Sequence, residues 1–127
     1  MRRLIAAAML IATPAFAADP AEGMWRTQPD DNGNFGVVRI YPCEGMICGQ
    51  LMQAFDGSGQ PVESENVGKR IVWDMTAEGG GAYGGGKIFS PDRGKTYSSK
   101  MELAGDVLKV SGCVLGICRA QTWTRAQ

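Results

Sequence analysis

Hydrophobic and polar residues alternate along the chain with a period of two, most regularly between residues 86 and 125. This period is typical of β-strands that have one buried face and one face in water. Gly105-Asp106 suits a two-residue turn in this stretch, because glycine readily adopts the positive φ that such a turn needs. The pattern predicts three consecutive hairpins, of which the middle one pairs Ala104 with Val107, Leu103 with Leu108, Met101 with Val110, Ser99 with Gly112 and Glu102 with Lys109.

Two cysteine pairs with the same spacing each flank a short turn, Cys43 with Cys48 and Cys113 with Cys118. Residues that face each other at a non-hydrogen-bonded position of a hairpin have Cα atoms about 4.5 Å apart, which is within disulfide reach. We therefore expect disulfides Cys43–Cys48 and Cys113–Cys118 on the outer face. Placing the cysteines face to face also predicts the pairs Ile40–Leu51, Val38–Gln53, Gly36–Phe55, Leu108–Trp123, Val110–Gln121 and Lys109–Thr122.

The remaining strands are bounded by turn residues. A first strand is predicted from Gly23 to Thr27, and another from Arg70 to Met75 with Ile71, Trp73 and Met75 on one face. The glycine-rich segment 79–86 predicts a flexible or bulged connection before the strand resumes at Lys87. About eight strands and no helix result. We therefore expect an all-β protein, a small antiparallel up-and-down β-barrel whose closure removes exposed edges.

The N-terminus has the features of a cleaved secretory signal. Met1-Arg2-Arg3 precedes an apolar run too short to span a bilayer, and Ala15-Phe16-Ala17 follows as a cleavage site. We expect residues 1–17 to be a signal peptide, residues 18–127 to form a single domain, and the product to be periplasmic or secreted. Export favours disulfides over zinc as the state of the four cysteines, since structural zinc sites usually space paired cysteines more tightly.

Charge and residue types exclude several classes of function. Removing Arg2 and Arg3 leaves 11 of the 13 basic residues against 13 acidic ones, so nothing in the charge attracts nucleic acid. Histidine, the commonest general base and metal ligand, does not occur in the sequence. We expect no enzyme, no cofactor, no metal site and no membrane span. Two carboxylates that meet in space, as in glycoside hydrolysis, leave a hydrolase as the third hypothesis.

Polar residues on the predicted inward face are the candidate ligand-binding groups. Gln53, Ser99 and Gln121 share this face with Tyr97 and Trp123. A buried amide needs hydrogen-bond partners, which could be other side chains, water or a ligand. Glycines at positions 36, 49 and 112 leave the interior less filled.

Three motifs resemble the exported bacterial domain-of-unknown-function family 2147, and the resemblance extends from about Gly23 to Arg125. They are the C-x4-C-G of residues 43–49, the segment from Gly86 to Tyr97, and the ending Gln121-Thr-Trp-Thr-Arg125. The resemblance implies a lipocalin-like barrel. Gly23-Met24-Trp25 is similar to the G-x-W that opens lipocalin barrels, and Arg125 stands where those folds place an arginine against the tryptophan. Since the first and last strands must pair in a closed sheet, we expect Trp25 and Arg125 to close one end.

These features favour an exported, non-enzymatic barrel that binds a small, partly apolar molecule. The alternative is a packed barrel that acts as an envelope protein–protein interaction module through its loops and outer face. In that alternative the segment Gly79–Gly86 and the outward residues Arg39 and Tyr41 would contact the partner.

Overall fold

The computed structural model of the protein describes residues 18–126, and no helix occurs among them. The strands in chain order are β1 (Gly23–Arg26), β2 (Phe35–Cys43), β3 (Met46–Phe55), β4 (Pro61–Val62), β5 (Arg70–Gly79), β6 (Ala82–Ser90), β7 (Lys95–Ala104), β8 (Val107–Val114) and β9 (Ile117–Arg125).

These strands form a closed antiparallel barrel. β2 pairs with both β1 and β3, so the sheet closes in the order β1, β2, β3, β5, β6, β7, β8, β9. The two-residue β4 pairs only with the end of β3 and adds no wall strand. The predicted all-β, eight-stranded up-and-down barrel is therefore confirmed.

Apolar side chains on the inward face of every wall strand pack together in the barrel. Trp25 and Trp123 are the largest fully buried side chains. Burying large aromatic rings contributes much of the hydrophobic stabilisation of so small a domain. The rest of this core consists of Ala21, Val38, Ile40, Ile47, Leu51, Ile71, Val72, Met75, Tyr83, Ile88, Met101, Leu108 and Val110.

The hairpins β7–β8 and β8–β9 have the predicted register. Leu103 lies opposite Leu108, and Glu102 lies opposite Lys109. Cys113 lies opposite Cys118, and the two form a disulfide. In both hairpins the turn residues fix the pairing locally, and the alternation of the flanking strands agrees with it.

The register predicted for the β2–β3 hairpin is wrong. Its turn has two residues, Glu44 and Gly45, both with positive φ (52° and 77°), so Cys43 lies opposite Met46 rather than Cys48. Two-residue turns with positive φ match the twist of antiparallel strands, so the shorter turn is favoured over the four-residue loop that opposed cysteines would need. Cys43 and Cys48 are then diagonal neighbours with Cα atoms 5.9 Å apart, and the predicted disulfide between them forms. Cys43 is half-buried and Cys48 is fully buried, so this bridge is less exposed than an outer-face position predicts.

A bulge at Met52 of β3, which has no partner between Val37 and Val38 of β2, shifts the register of the same hairpin again. Val38 lies opposite Leu51, and Gln53 lies opposite Val37. One extra residue moves every later side chain to the other face of a strand. Gln53 is therefore exposed on the outside, and its predicted inward position is wrong.

The predicted inward face of β5 is also wrong in part. Val72 is fully buried and pairs with Ile88, whereas Trp73 is only half-buried and lies opposite Lys87. Asp74 has a φ of 58°, and after it Met75 is buried again. Irregular backbone at Asp74 changes the phase of the alternation, which a strict period of two cannot reveal.

The glycine-rich segment 79–86 is bulged, as predicted, but it forms a tight hairpin rather than a flexible connection, and the strand resumes before Lys87. Gly80 and Gly81 make the turn with positive φ, and β6 already begins at Ala82. A Cβ at position 86 would lie 2.6 Å from the Met75 sulfur, so this glycine admits the close approach of a core side chain.

The two ends of the barrel differ in their connections. One end carries the two-residue turns after β2, β5 and β7 together with the segment that precedes β1. The opposite end carries the connections after β1, β3, β6 and β8. The former is called the closed end and the latter the open end below.

The signal-peptide prediction concerns residues 1–17, which lie outside the described residues. In the described part of the chain, no helix is long and apolar enough to cross a membrane. The two disulfides are the state expected of cysteines in an oxidising compartment outside the cytoplasm.

Candidate functional site

A cavity of about 1120 Å³ enters the barrel from the open end. It is lined by inward side chains of β2, β3, β5, β6, β7, β8 and β9 and by the connections at that end. Its volume lies slightly above the roughly 300–1,000 Å³ of most small-molecule sites, which are concave and mostly apolar with a few polar groups.

Apolar and aromatic side chains form the inner wall of the cavity. Leu51, Ile71 and Ile88 line it from three neighbouring strands, and Trp123 lines it from β9. All four are buried members of the core, so the cavity is continuous with the packed interior. Tyr97 is partly buried and adds an aromatic ring that carries a hydroxyl group.

Gln121 is a polar side chain on this wall whose orientation is fixed by a hydrogen bond. The indole Nε1 of Trp123 donates a 2.7 Å hydrogen bond to Oε1 of Gln121. The carboxamide is thus held by a buried ring, and its NH2 group is a donor that a ligand could use.

Two glycines on the cavity wall leave open part of the space that the cavity occupies. Gly112 lines the cavity opposite Arg119 on β9, and a Cβ built there would lie 3.5 Å from Cβ of Tyr97 and 3.7 Å from Cγ2 of Ile88. These are ordinary contacts, so a larger residue could stand at this position at the expense of cavity volume. Gly36 also lines the cavity, but there a Cβ would lie 2.7 Å from Leu51.

Charged residues of both signs surround the cavity entrance. Arg93 and Arg119 are exposed on one side, whereas Asp30 and Asp56 lie in the connections after β1 and β3. Hydrogen bonds, first of all from the Ser58 hydroxyl (2.6 Å), lower the pKa of Asp56. Asp56 is therefore a carboxylate at neutral pH. The entrance can thus contact polar or charged parts of a molecule whose apolar part lies inside.

Three of the five predicted ligand-binding residues line the cavity, and two do not. Tyr97, Gln121 and Trp123 line the cavity together. Ser99 is buried away from it and donates a 2.6 Å hydrogen bond to the carbonyl oxygen of Ser111, so its polarity is satisfied within the protein. Gln53 borders a separate shallow groove beside β4.

Sequence reasoning missed the basic entrance of the cavity. Arg119 has the same strand parity as Gln121 and Trp123, and this parity could have identified it. Leu51 and Ile71 are inward, as the predicted Ile40–Leu51 pair and the shared face of Ile71 and Met75 require, although bulges on β3 and β5 change the faces of their neighbours.

The closed end is held by the contact between Trp25 and Arg125, which lie opposite each other where β1 meets β9. The Arg125 guanidinium lies 4.1 Å from the centroid of the Trp25 ring. It also donates 2.8 Å hydrogen bonds to the carbonyl oxygens of Glu22 and Pro20. Gly23 leaves room for this guanidinium, since a Cβ there would lie 3.0 Å from Nη1.

The segment before β1 covers the closed end. The Trp25 indole donates a 2.8 Å hydrogen bond to the carbonyl oxygen of Ala21, which is fully buried. The Tyr83 hydroxyl donates to the Asp19 carboxylate. Burial and this carboxylate raise the pKa of Tyr83 well above its usual value of 10.0. The cavity therefore has its entrance only at the open end of the described barrel.

Among residues 18–126, no group of three or more Cys, Asp or Glu side chains is arranged to hold a metal ion.

Comparison with known proteins places this geometry in a wider context. Among solved structures, the chain is similar to HP1028 from the human pathogen Helicobacter pylori, which is described as belonging to the lipocalin family. The two share 18% sequence identity with a TM-score of 0.67, over 84% of this chain and 82% of that one. This likeness shows a lipocalin-like fold. The comparison with curated proteins gives no significant match.

The family assignment comes from the sequence. The family model of the uncharacterized proteins conserved in bacteria, DUF2147, matches residues 23–125, from the first strand to the last. The resemblance found in the motifs is thus confirmed, and the chain belongs to the DUF2147 family.

Proposed function

We propose that this protein is an exported, non-enzymatic barrel that binds a small, partly apolar molecule in the cavity at its open end. The observation that carries the proposal is the cavity of about 1120 Å³, which has an apolar inner wall and a polar amide on it. In a barrel with a fully packed interior we would expect a side chain at position 112, because a Cβ fits there, but the residue is glycine.

The cavity supports a ligand with two chemically different parts. Ile88 and Trp123 would contact an apolar part, and Gln121 would donate a hydrogen bond to an acceptor on the ligand. Arg93 and Arg119 at the entrance favour an acidic group at the outer end of the molecule.

Export is part of the proposal. The basic start, the apolar run and Ala15-Phe16-Ala17 support a cleaved signal. Two disulfides are consistent with the periplasm or the medium as the destination.

The non-enzymatic character rests on the residue types at the cavity. The sequence has no histidine, and the acidic residues lie in connections at the entrance rather than on the inner wall. Asp30, for example, accepts backbone hydrogen bonds from Asn32 and Asn34 within its own turn.

Native mass spectrometry of the protein purified from its own source tests the proposal. We expect a species heavier than the polypeptide, which loses a defined small mass on denaturation. In parallel, displacement of anilinonaphthalene sulfonate from the recombinant protein measures binding of candidate amphiphiles. A ligand-free native mass together with no displacement by fatty acids, lysolipids or isoprenoids would refute ligand binding.

The alternative, an envelope protein-interaction module, retains one supporting observation. On the outer face the Arg39 guanidinium lies 5.3 Å from the Tyr41 ring centroid, and Arg70 donates a 3.2 Å hydrogen bond to the Tyr41 hydroxyl. Such an arginine and tyrosine cluster is a common type of protein-binding surface. The segment Gly79–Gly86 gives this alternative less support than expected, because it forms a tight hairpin. Crosslinking in the native envelope that depends on Tyr41 would favour this alternative.

A further inference from the structure

The turn between β8 and β9 carries the most exposed hydrophobic side chains in the described part of the chain. Leu115 is 97% exposed, Ile117 75% and Val114 50%. All three border the cavity entrance. We call residues 114–117 the apolar tip.

The apolar tip is not paired with the strands on either side of it. Pairing of β7 with β8 ends at Ser98 and Cys113, one residue before Val114. On the other side, β1 pairs with β9 only at Arg125 and Thr124. The outer part of the β8–β9 hairpin is therefore unpaired on both sides, although residues 95–97 of β7 run level with it, and the tip faces solvent.

The tip is also rigid. Leu115 and Gly116 form a two-residue turn with positive φ (52° and 78°), and the Cys113–Cys118 disulfide lies directly below it. An exposed leucine at positive φ is strained, and asparagine or glycine would suit this position better. Folding does not account for Leu115, whereas contact with an apolar phase would.

Basic residues flank the tip. Continuing the register that pairs Ser98 with Cys113 brings Lys95 level with Gly116. Arg93 lies in the adjoining turn, and Arg119 lies two residues after Ile117. The nearest acid on that turn, Asp92, accepts a hydrogen bond from the Ser90 hydroxyl. Asp30 and Asp31 lie in the connection after β1, on the other side of the hairpin, so the basic residues flank the tip on the side of β7.

We propose that the apolar tip inserts into an anionic lipid surface, with Arg93, Lys95 and Arg119 against the lipid headgroups. A set of three exposed aliphatic side chains with cations along one side is complementary to a negatively charged bilayer interface. A specific protein interface usually buries about 1,200 Å² or more, which a tip of this size does not offer. The cavity entrance would then lie against the membrane. The proposal rests on the tip alone and does not require the cavity to hold a ligand.

Co-sedimentation with vesicles tests this docking. We expect the protein to bind vesicles of phosphatidylglycerol and phosphatidylcholine in equal parts, and to bind pure phosphatidylcholine at least about tenfold more weakly. Added salt should weaken the binding, because exposed charges are screened. Binding that is equally weak to both vesicle types would overturn the proposal.

Leu115→Asn is the decisive variant, because asparagine tolerates the positive φ of this turn and the fold should be retained. The variant lacks the leucine side chain that the bilayer would bury, and this loss is expected to weaken vesicle binding about tenfold. The control is Met52→Ser, which removes an exposed hydrophobic side chain from β3 and should leave binding unchanged. Unchanged binding by Leu115→Asn would refute insertion of the tip.

Two further measurements separate this proposal from others. Gly112→Val, which narrows the cavity but leaves the tip intact, should bind vesicles as tightly as the wild type, so failure of docking is distinguishable from failure of ligand binding. Sedimentation velocity should show a monomer for both the wild type and Leu115→Asn. A wild-type dimer that Leu115→Asn abolishes would overturn lipid docking and identify a second copy of the chain as the occupant.

Discussion

The indole of Trp123 and the carboxamide of Gln121 are hydrogen-bonded to each other across 2.7 Å on the wall of the cavity. Two residues apart on β9, both point inward, and the ring is almost completely buried. The contact fixes the orientation of the amide and satisfies the indole donor. Gln121 therefore contributes to the stability of the barrel and also presents its NH2 group to the cavity.

Gln121→Leu should lower both stability and ligand affinity. The buried indole N–H of Trp123 would lose its acceptor, which costs about 1–3 kcal/mol of unfolding free energy. Gln121→Glu is the matched comparison, since it keeps an acceptor oxygen for Trp123 but removes the NH2 donor. We expect it to lose affinity with a smaller loss of stability. Urea denaturation and displacement of anilinonaphthalene sulfonate measure the two effects, and an unchanged stability of Gln121→Leu would contradict the role of this hydrogen bond.

Gly112→Val should reduce ligand binding without unfolding the barrel. The added Cβ makes ordinary contacts with Tyr97 and Ile88, and the methyl groups extend into the cavity. Valine suits a strand better than glycine, so stability should be unchanged or higher by up to about 1 kcal/mol. Affinity for amphiphiles should fall about tenfold or more. Binding as tight as in the wild type would place the ligand elsewhere.

Gly49→Ala is the control for this substitution. A Cβ there would lie 3.1 Å from side-chain carbons of Ile40 and Val38, so the packed core must move apart. We expect lower thermal stability with little change in ligand affinity of the folded protein, because Gly49 does not line the cavity.

Arg125→Ala should destabilise the closed end. The variant loses the contact with the Trp25 ring and two hydrogen bonds to backbone carbonyl groups. Together these are expected to cost about 2–3 kcal/mol. The ion pair with Asp106 contributes little, since it spans 3.8 Å and Asp106 is 88% exposed.

The controls for Arg125→Ala lie on the same strand and in the same ion pair. Asp106→Ala and the exposed Arg119→Ala should each change the unfolding free energy by less than about 0.5 kcal/mol. A thermal midpoint of Arg125→Ala equal to that of Arg119→Ala would show that the barrel is not held at this point.

Stability should fall at alkaline pH because of Tyr83. Burial and hydrogen bonding to Asp19 raise the pKa of Tyr83 in the folded state above the usual value of 10.0. The phenol stays protonated in the folded protein while it ionises in the unfolded chain. Unfolding is therefore favoured as pH rises above about 10, by at most about 1.4 kcal/mol per pH unit from this group.

Tyr83→Phe isolates this effect. The variant loses the hydrogen bond to Asp19 at neutral pH, but the fall in its stability between about pH 9 and 11, one unit on either side of the ordinary pKa, should be shallower. Urea midpoints across this range provide the measurement. Parallel curves for both proteins would assign the alkaline loss to other groups.

The predicted pairing of the last three strands is correct because its determinants are close together in the sequence. Gly105-Asp106 fixes one turn, and the alternation from Tyr97 to Leu103 agrees with it. The inward parity of Gln121 and Trp123 follows from the same register. Short-range turn chemistry and a period of two are sufficient where strands are regular.

The sequence by itself determined the all-β class, the cysteine pairing, the inward face of β7, β8 and β9, and the residues that meet at the closed end. Only the tertiary structure decided the side on which Gln53 lies, the phase of β5 and the position of the cavity. Bulges at Met52 and Asp74 reverse inward and outward faces, and they form where a strand must fit two neighbours at once. The exposure of Leu115 depends likewise on where pairing with the strands beside the β8–β9 hairpin ends, which is a property of the closed barrel rather than of any local segment.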